Sequence, residues 1–523
     1  MGRNQVRATG AEGESAGQST EKGEEITMRH RPNFLIVVAD QLRADALGAF
    51  GNALARTPHL DRLAAEGTAF TNAFAQHPVC APSRASFLSG WYPHTAGHRS
   101  FGTPLRAEEP NFLRAFRENG YHVTWTGERG DTFGPGATEL AVDEHGFSVR
   151  PTSGRWAEGH PTTERPELPG ASDDAWGRLF YRGRVLDRDY IDFDEAAVRT
   201  AEQWLAEPPE QPWVLFAPLV APHCPFQAPE PWFSLHDRDA QPEPVSGSGP
   251  EPAYLQGIRD YYGTDRVTPE MWQEVAATYH GMVSRLDHHV GRLLAAVRQA
   301  GAADDTVTVV LSDHGEYLGD FGVIEKWPSG LHSCLTRDPV ILSGGGLPAA
   351  GTIDAMVELI DVFPTLLDVA GIEPGHQHFG RSLLPVLRDP GAGHREYVFS
   401  EGGFLAEEEP KLERSPFPYD LKSALQHDRP AAVGKAFAVR DHRWTYVWRL
   451  YEPAEVYDRA ADPDEAHNLA GNPEASDVEA RMSQVLLRWL AETADILPER
   501  ADSRLPKVAR PAPGESVRPR RVG

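Results

Sequence analysis

The chain has 523 residues, 40% of them hydrophobic and 24% charged, which is enough to bury a large core in one big domain with a smaller companion. Its formal charge of −25 disfavours a nucleic-acid backbone or an anionic membrane surface as a general partner, although a local basic site can still bind an anionic substrate. Cys80, Cys224 and Cys334 are its only cysteines, too few for a disulfide framework, and Met1 to Arg31 carries no apolar signal core, so a reducing cytoplasm is the expected compartment.

The stretch from Met1 to about Glu25 is rich in Gly, Ser, Glu and Gln, and a disordered leader is expected over residues 1–30. Asn33 to Ala39 is a continuous apolar, β-branched run, the pattern of a strand covered on both faces, and it stops at Asp40-Gln41. Ligands collect at the carboxyl ends of parallel strands, so Asp40 and Gln41 are candidate oxygen ligands for a hard divalent cation; the other reading is a turn aspartate capping the next helix. Thr57 to Gly67 reads as a helix with a Thr cap, a Pro in its first turn and a Gly stop.

Cys80-Ala81-Pro82-Ser83-Arg84 follows. Pro82 is preset for a first helical turn, Ala85 to Ser89 continues it and Gly90 is a natural stop, which places Cys80 just ahead of a short helix's N-terminus. Free backbone N–H groups there attract anions and favour an ionised nucleophile, and Arg84, about one turn on, presents a two-pronged donor to the same point. The arrangement suits a tetrahedral oxyanion; the plainer reading is a buried structural cysteine. His94 and His98 read as loop histidines.

Glu109 to Phe116 predicts an amphipathic helix before a strand at Gly120 to Gly127. Pro151 to Asp194 and Pro229 to about Tyr262 are polar, Pro-rich excursions without sustained periodicity, expected over the rim of a site. Between them, Pro212 to Leu219 is a strand that delivers Pro222-His223-Cys224-Pro225-Phe226. Met271 to Ala300 is a long helix with Val283, Leu286, Val290, Leu293 and Leu294 on one stripe. Its Asp287-His288-His289 is not a metal cluster, because consecutive helical residues diverge by about 100°; solvated helix surface is expected. Thr306 to Leu311 is a core strand ending in Ser312-Asp313-His314-Gly315-Glu316, the same situation as Asp40-Gln41. Asp40, Gln41, Asp313 and His314 would suit Ca²⁺ or Mn²⁺. A smaller unit near 401–500 carries hairpin strands around Asp441-His442 and a closing helix from about Ser476, ahead of a Pro/Arg-rich tail at 501–523 expected to be disordered.

Cys80 to Arg84 resembles the Cys-x-Pro-Ser-Arg signature of the formylglycine-dependent sulfatases, in the alkaline phosphatase superfamily. Asn33 to Gly97 with Thr57-Pro58-His59-Leu60-Asp61 and Tyr92-Pro93-His94, then Pro222 to Phe226, Asp313 to Glu316, Glu455 to Asp458 and Asn468-Leu469, are similar to that family's landmarks in the same order. The resemblance implies an α/β fold, a large mixed β-sheet sandwiched by helices over 31–400, with a small antiparallel C-terminal subdomain. It further implies that a formylglycine-generating enzyme oxidises Cys80, that the aldehyde hydrate supplies one hydroxyl to attack sulfur and a second to release it, and that Arg84 and the metal set support that nucleophile. His223 would then protonate the leaving alcohol, and Lys326, by itself a surface lysine, would lie on the sulfate near the bridging oxygen.

One departure stands out. The family's Gly-Lys-x-His at the strand end reads Gly127-Glu128-Arg129-Gly130-Asp131 here. A carboxylate against a sulfate repels it, so either Glu128 turns away or a one-residue slip brings Arg129 and Asp131 into the Lys and His places. The expected activity is hydrolysis of a small-molecule sulfate monoester. The alternatives are a phosphonate monoester or phosphodiester hydrolase of the same superfamily, whose substrate leaves one fewer charged oxygen to hold, and a non-catalytic binding protein with Cys80 unmodified.

Overall fold

The computed structural model describes residues 31–127, 129–152 and 161–496. The expected leader and tail, and Glu128, lie outside them. Eight strands form the main sheet: β1 Asn33–Asp40, β2 Thr68–Phe74, β3 His122–Thr126, β4 Glu144–Gly146, and, beyond the short strands β5 Thr163–Glu164 and β6 Tyr181–Val185, β7 Trp213–Pro222, then past β8 Phe226–Pro229, β9 Thr306–Ser312, β10 Val340–Gly344 and β11 Gly351–Glu358. Their spatial order is β11-β2-β10-β9-β1-β7-β3-β4. β1 pairs in parallel with both β7 and β9, while β10 runs antiparallel to β9 and β2, so the sheet is mixed.

The apolar run of β1 divides between two cores. Phe34, Ile36 and Val38 enter one, with Phe87 and Leu88, Phe112 and Phe116, and Val362, Phe363 and Leu366. Leu35, Val37 and Ala39 enter the other, with Leu60, Leu63 and the stripe Val283, Leu286, Val290 and Leu293. Successive strand side chains point to opposite faces, so a run with no polar break means helices on both sides. The helices are α1 (Pro58–Glu66), α2 (Cys80–Ser89) and, among those named by range, Phe112–Glu118, Phe193–Ala206, Pro269–Gln299 and Val362–Ala370. Strands β12 Val398–Gly402, β13 Ala436–Arg440, β14 Trp444–Arg449 and β15 Glu455–Asp458 form the small antiparallel sheet in that order. Its one face packs Phe399, Phe437 and Val456 on Met482, Leu486 and Trp489 of the helix Ser476–Glu492; the other packs Ala436, Ala438 and Val447 on Leu331, which lies between β9 and β10. No helix among the described residues is long and apolar enough to cross a membrane.

Several local expectations change. The described part of the first polar excursion is ordered: β5 and β6 join β8 in a three-stranded sheet, and Asp173–Arg178 is a helix capped by Ser172. Because β8 directly follows His223-Cys224-Pro225, that small sheet anchors the His223 loop. The second excursion ends in the helix Ala253–Tyr262, with Tyr254, Leu255 and Ile258 buried. Asp287 and His289 are buried, not solvated. Thr57 makes no side-chain cap to α1; Asp287 Oδ1 instead accepts from the N–H groups of His59 at 2.9 Å and Leu60 at 2.7 Å, a cap lent by the neighbouring helix. His94 and His98 also have structural partners, Glu401 at 2.7 Å and Glu109 at 3.1 Å.

Candidate active site

The carboxyl ends of β1 and β9 and the first turn of α2 meet at one point. Asp313 N–H donates to Ala39 O at 3.1 Å, fastening one strand end to the other, and Ser83 Oγ donates to Asp313 O at 2.6 Å, fastening α2 to both. The helix begins at Cys80 itself, with Val79 as its cap, and ends at Gly90, whose φ of 74° turns the chain and brings its N–H to Ser86 O at 2.8 Å. Gln41, where β1 stops, has φ 69°, a left-handed conformation that costs a non-glycine residue on the order of 1 kcal/mol or more and persists where surroundings enforce it. Its N–H donates to Asp313 Oδ1 at 3.2 Å.

Asp40, Asp313 and His314 come together, all fully buried. His314 Nδ1 lies 2.9 Å from Gly315 O; a carbonyl only accepts, so Nδ1 carries the proton and Nε2 is a bare lone pair. That lone pair faces Asp40 Oδ1 at 3.5 Å and Asp313 Oδ1 at 3.7 Å. Burial, then the charge of Lys326, holds the His314 pKa down at about 3, so no proton relieves the contact. Among the described residues, both Asp40 Oδ1 and His314 Nε2 lack a hydrogen-bond partner. Buried acceptors turned toward one another are costly unless a cation sits among them, so this donor set fits a divalent metal. Burial works against ionisation of Asp40, but Arg129, His223, Arg84 and His314 outweigh it and hold its pKa far below the ordinary range. Asp313 absorbs the conflict: burial and the charge of Asp40 push it up to about 6. Gln41 stands beside the set with its amide oxygen already accepting from Lys326 Nζ at 2.8 Å.

Arg84 is fully buried and committed to carboxylates: Asp313 Oδ2 at 2.8 Å, Asp40 Oδ2 at 3.4 Å and Asp131 Oδ2 at 3.5 Å. Its Nη1 has no hydrogen-bond partner among the described residues. Arg129 and Asp131 also face inward. Arg129 Nη2 bridges Asp40 Oδ2 and Asp131 Oδ2, and Nη1 donates to Leu219 O at 3.1 Å. The described residues thus place the Arg129–Asp131 pair at this strand end. A carboxylate oxygen of Asp131 lies within 4.8 Å of both Cys80 Sγ and Asp40.

The environment of Cys80 differs from the expectation of an ionised thiol. Burial, then the charges of Asp40 and Asp131, push its pKa well above the ordinary value. Arg84 is spent on carboxylates, and the helix end does not compensate. The thiol as such is a poor nucleophile here.

His223 and Lys326 form the opposite wall. His223 Nδ1 donates to Cys224 O at 2.5 Å, leaving Nε2 to accept from Lys326 Nζ at 2.8 Å. Burial and the Lys326 charge lower His223 to about 4, so the imidazole is neutral and the proton between the two rests on Nζ. Lys326 is no surface lysine: it is 5% exposed, and Glu325, with Asp40 beyond it, overcomes burial and holds its pKa above the ordinary value. His223, Cys224 and Glu325 also cluster within 4.8 Å, around that ammonium. Sequence reasoning missed Glu316 and Lys422. Glu316 accepts from Gln41 Nε2 and from the N–H groups of Leu318 at 2.9 Å and Glu325 at 2.5 Å, clamping the segment that carries Lys326; its place directly after Asp-His-Gly was the available signal. Lys422 reaches Glu325 from 97 positions away and has no local signature.

The family model for sulfatases matches residues 32–372. The chain belongs to the sulfatase family. It is 27% identical over 463 residues to a choline-sulfatase of Rhizobium meliloti, covering 85% of this chain and 83% of that one. It is 28% identical over 516 residues to a multifunctional alkaline phosphatase superfamily protein, PehA, of Trinickia caryophylli, covering 89% and 96%. Among solved structures, a phosphonate monoester hydrolase of Agrobacterium radiobacter superposes with a TM-score of 0.71 at 25% identity, covering 88% of this chain and 96% of that one. The protein is therefore a hydrolase of the sulfatase/alkaline phosphatase superfamily that acts on small esters.

Proposed function

We propose that this enzyme hydrolyses a sulfate monoester, with residue 80 matured from cysteine to formylglycine by a formylglycine-generating enzyme and with one divalent metal, Ca²⁺ or Mn²⁺. The observation that carries the reading is a set of buried side-chain atoms without a partner among the described residues, in the cluster that Asp40 joins to Cys80: two acceptors, Asp40 Oδ1 and His314 Nε2, and one donor, Arg84 Nη1. Acceptors of this kind want a cation and the donor wants an anion, the two halves of a metal-bound oxyanion.

Asp40, Asp313 and His314 would hold the metal, which would supply Lewis-acid polarisation of the ester oxygens, with Gln41 as the adjacent fourth group. The hydrated aldehyde would supply an attacking hydroxyl and a second hydroxyl for release of the transferred group. Arg84 orients the carboxylates of Asp40, Asp131 and Asp313 and would have Nη1 left to donate to the anion. Lys326 Nζ stabilises negative charge on the departing oxygen and holds the proton that it shares with His223 Nε2. His223, neutral and anchored through Nδ1, keeps that ammonium aimed and accepts from it; proton delivery thus belongs to the Lys326–His223 pair rather than to an imidazolium.

A second reading, hydrolysis of a phosphonate monoester or phosphodiester, is favoured by one observation. Arg129, the cation at the strand end, is bound on Nη2 by two carboxylates and on Nη1 by a carbonyl, which leaves Lys326 to meet the substrate's oxygens. Such substrates present fewer non-bridging oxygens. The test comes in two parts: the mass of the tryptic peptide Leu63 to Arg84, from protein produced with a formylglycine-generating enzyme, and rates on the sulfate monoester, phosphonate monoester and phosphodiester of one phenol. Aldehyde at position 80 with the sulfate ester preferred supports the proposal. A surviving thiol overturns it and leaves a binding protein. A cytoplasmic location belongs to the same proposal.

A further inference from the structure

Lys326 is a hub. Its Nζ meets His223 Nε2 at 2.8 Å, Gln41 Oε1 at 2.8 Å and Glu325 Oε1 at 2.5 Å. The last contact poses a difficulty for a site that binds anions. Glu325 is 1% exposed, and burial notwithstanding, Lys326 and Lys422 hold its pKa low, at about 2, so it stays ionised. A carboxylate pressed against the lysine proposed to meet the substrate cancels most of that lysine's field at distances beyond the pair. The other oxygen of Glu325 shows how the difficulty is resolved. Lys422 Nζ lies 2.5 Å from Glu325 Oε2 and also donates to the backbone carbonyl of Lys326. Two cations against one carboxylate leave a single net positive charge on the trio.

Lys422 belongs to the helix Asp420–Asp428, which packs Leu425 against Gly257 of the helix Ala253–Tyr262. Just before it, Tyr419 Oη meets Cys224 Sγ at 3.3 Å, fixing the start of this helix to the loop that carries His223. The segment it grips is strained: Leu318, Phe321 and Glu325 all have positive φ, at 55°, 57° and 66°. Non-glycine residues keep such conformations only where surrounding contacts enforce them, and they gather at functional sites.

We propose that Lys422 is a positioning residue of the reaction centre: by taking one oxygen of Glu325 and the carbonyl of Lys326, it fixes Lys326 Nζ and preserves its positive charge for the anionic ester. This rests on the anionic-ester reading above and adds to it a part of the chain far removed from the other site residues. It also assigns Glu325 its role, as the orienting carboxylate whose charge Lys422 offsets.

The test is a charge-compensation cycle on the full-length, metal-loaded enzyme: Lys422→Met, Lys422→Arg, Glu325→Gln and the double variant Glu325→Gln/Lys422→Met. Inorganic sulfate and inorganic phosphate serve as calorimetric probes of oxyanion binding, alongside kinetics on the nitrophenyl ester that the wild type hydrolyses best. Lys422→Met is expected to weaken oxyanion binding about tenfold and to raise KM more than it lowers kcat. Lys422→Arg should retain most of the binding. Removing both opposed charges restores the net charge of the trio, so the double variant is expected to return to within about twofold of the wild type. A purely structural lysine would give a double variant no better than Lys422→Met, and that result overturns the proposal; so does unchanged binding in Lys422→Met. Absence of oxyanion binding by the wild type overturns the anionic-ester reading together with the inference that depends on it. Should Lys422→Met fail to fold, Glu325→Gln alone decides: tighter oxyanion binding than the wild type supports the offset, and weaker binding overturns it.

Discussion

Two of the buried charge clusters among the described residues differ in how their hydrogen bonds are closed. The first, Glu358, Asp361 and Arg395, ties β11 and the turn after it to the start of the C-terminal sheet. Asp361 accepts from Arg381 N–H at 2.7 Å, Glu358 N–H at 3.0 Å, His394 Nε2 at 3.0 Å and Arg395 Nε at 2.8 Å. Glu358 accepts from Phe399 N–H at 2.7 Å, Tyr92 Oη at 2.7 Å and Arg395 Nη1 at 2.8 Å. None of these three residues keeps a buried side-chain atom without a partner. The second cluster, Asp40, Arg84, Arg129, Asp131, Asp313 and His314, is equally buried but leaves Asp40 Oδ1, His314 Nε2 and Arg84 Nη1 open. Burial and charge are common to both. In this pair, the cluster closed by the protein ties elements of the fold together, and the cluster left open is the one that meets Cys80.

Breaking the closed cluster should cost folding and little chemistry. Arg395→Met leaves two carboxylates buried beside each other, with an expected loss of about 3–5 kcal/mol, read as a large drop in thermal midpoint or failure to accumulate folded protein. Breaking the open cluster should do the reverse. Asp40→Asn is expected to lower kcat/KM by on the order of 10³ while moving the midpoint less than Arg395→Met does, and to abolish the stabilisation that added Ca²⁺ or Mn²⁺ gives the chelator-treated wild type. A wild-type midpoint indifferent to chelation would remove the metal from the open cluster.

His223→Ala sharpens the comparison at the edge of the open cluster. Its expected cost is roughly 10²-fold in kcat for an ester with a poor leaving alcohol and far less for a nitrophenol, since the latter needs little protonation. Equal losses for both leaving groups would make His223 a purely structural wall. The smallest effect belongs to Asp287, a carboxylate whose cap bonds are closed but which makes no salt bridge among the described residues. Burial, against the two backbone donors, raises its pKa to about 7. The folded state then binds a proton that the unfolded chain gives up near pH 4, so the stability this proton contributes is complete below about pH 4 and is lost as pH rises through about 7. Asp287→Asn should accordingly gain on the wild type by a few degrees between pH 5 and pH 8; a pH-independent difference would show that Asp287 stays ionised.

Legibility from the sequence followed the range of the interactions. The strand β1, the helix α2 with its Gly90 stop, the long helix and the hairpin β13–β14 all rest on local periodicity and end signals, and their bounds fell within about two residues of the expectation. Asp40, Asp313 and His314 were marked by abrupt polar ends on apolar strands. The ordered sheet β5-β6-β8 was not legible, because its strands are short, polar on one side and paired with a distant segment. Asp287 was misread as solvated for a related reason: its stripe position on the helix is ordinary, and only the approach of α1 buries it.

Local sequence sets the chemical groups and their order: a cysteine at the start of a short helix, two acidic strand ends, a histidine loop between prolines. Those are local matters of backbone geometry and side-chain type. The tertiary structure alone decided protonation and charge. It turned Arg84 onto three carboxylates, kept Cys80 a neutral thiol, made His223 an acceptor and brought Lys422 to Glu325. Each of these outcomes depends on burial and on a partner 40 or more positions away, and Coulomb energy in a poorly screened interior is set by distance in space rather than by separation along the chain.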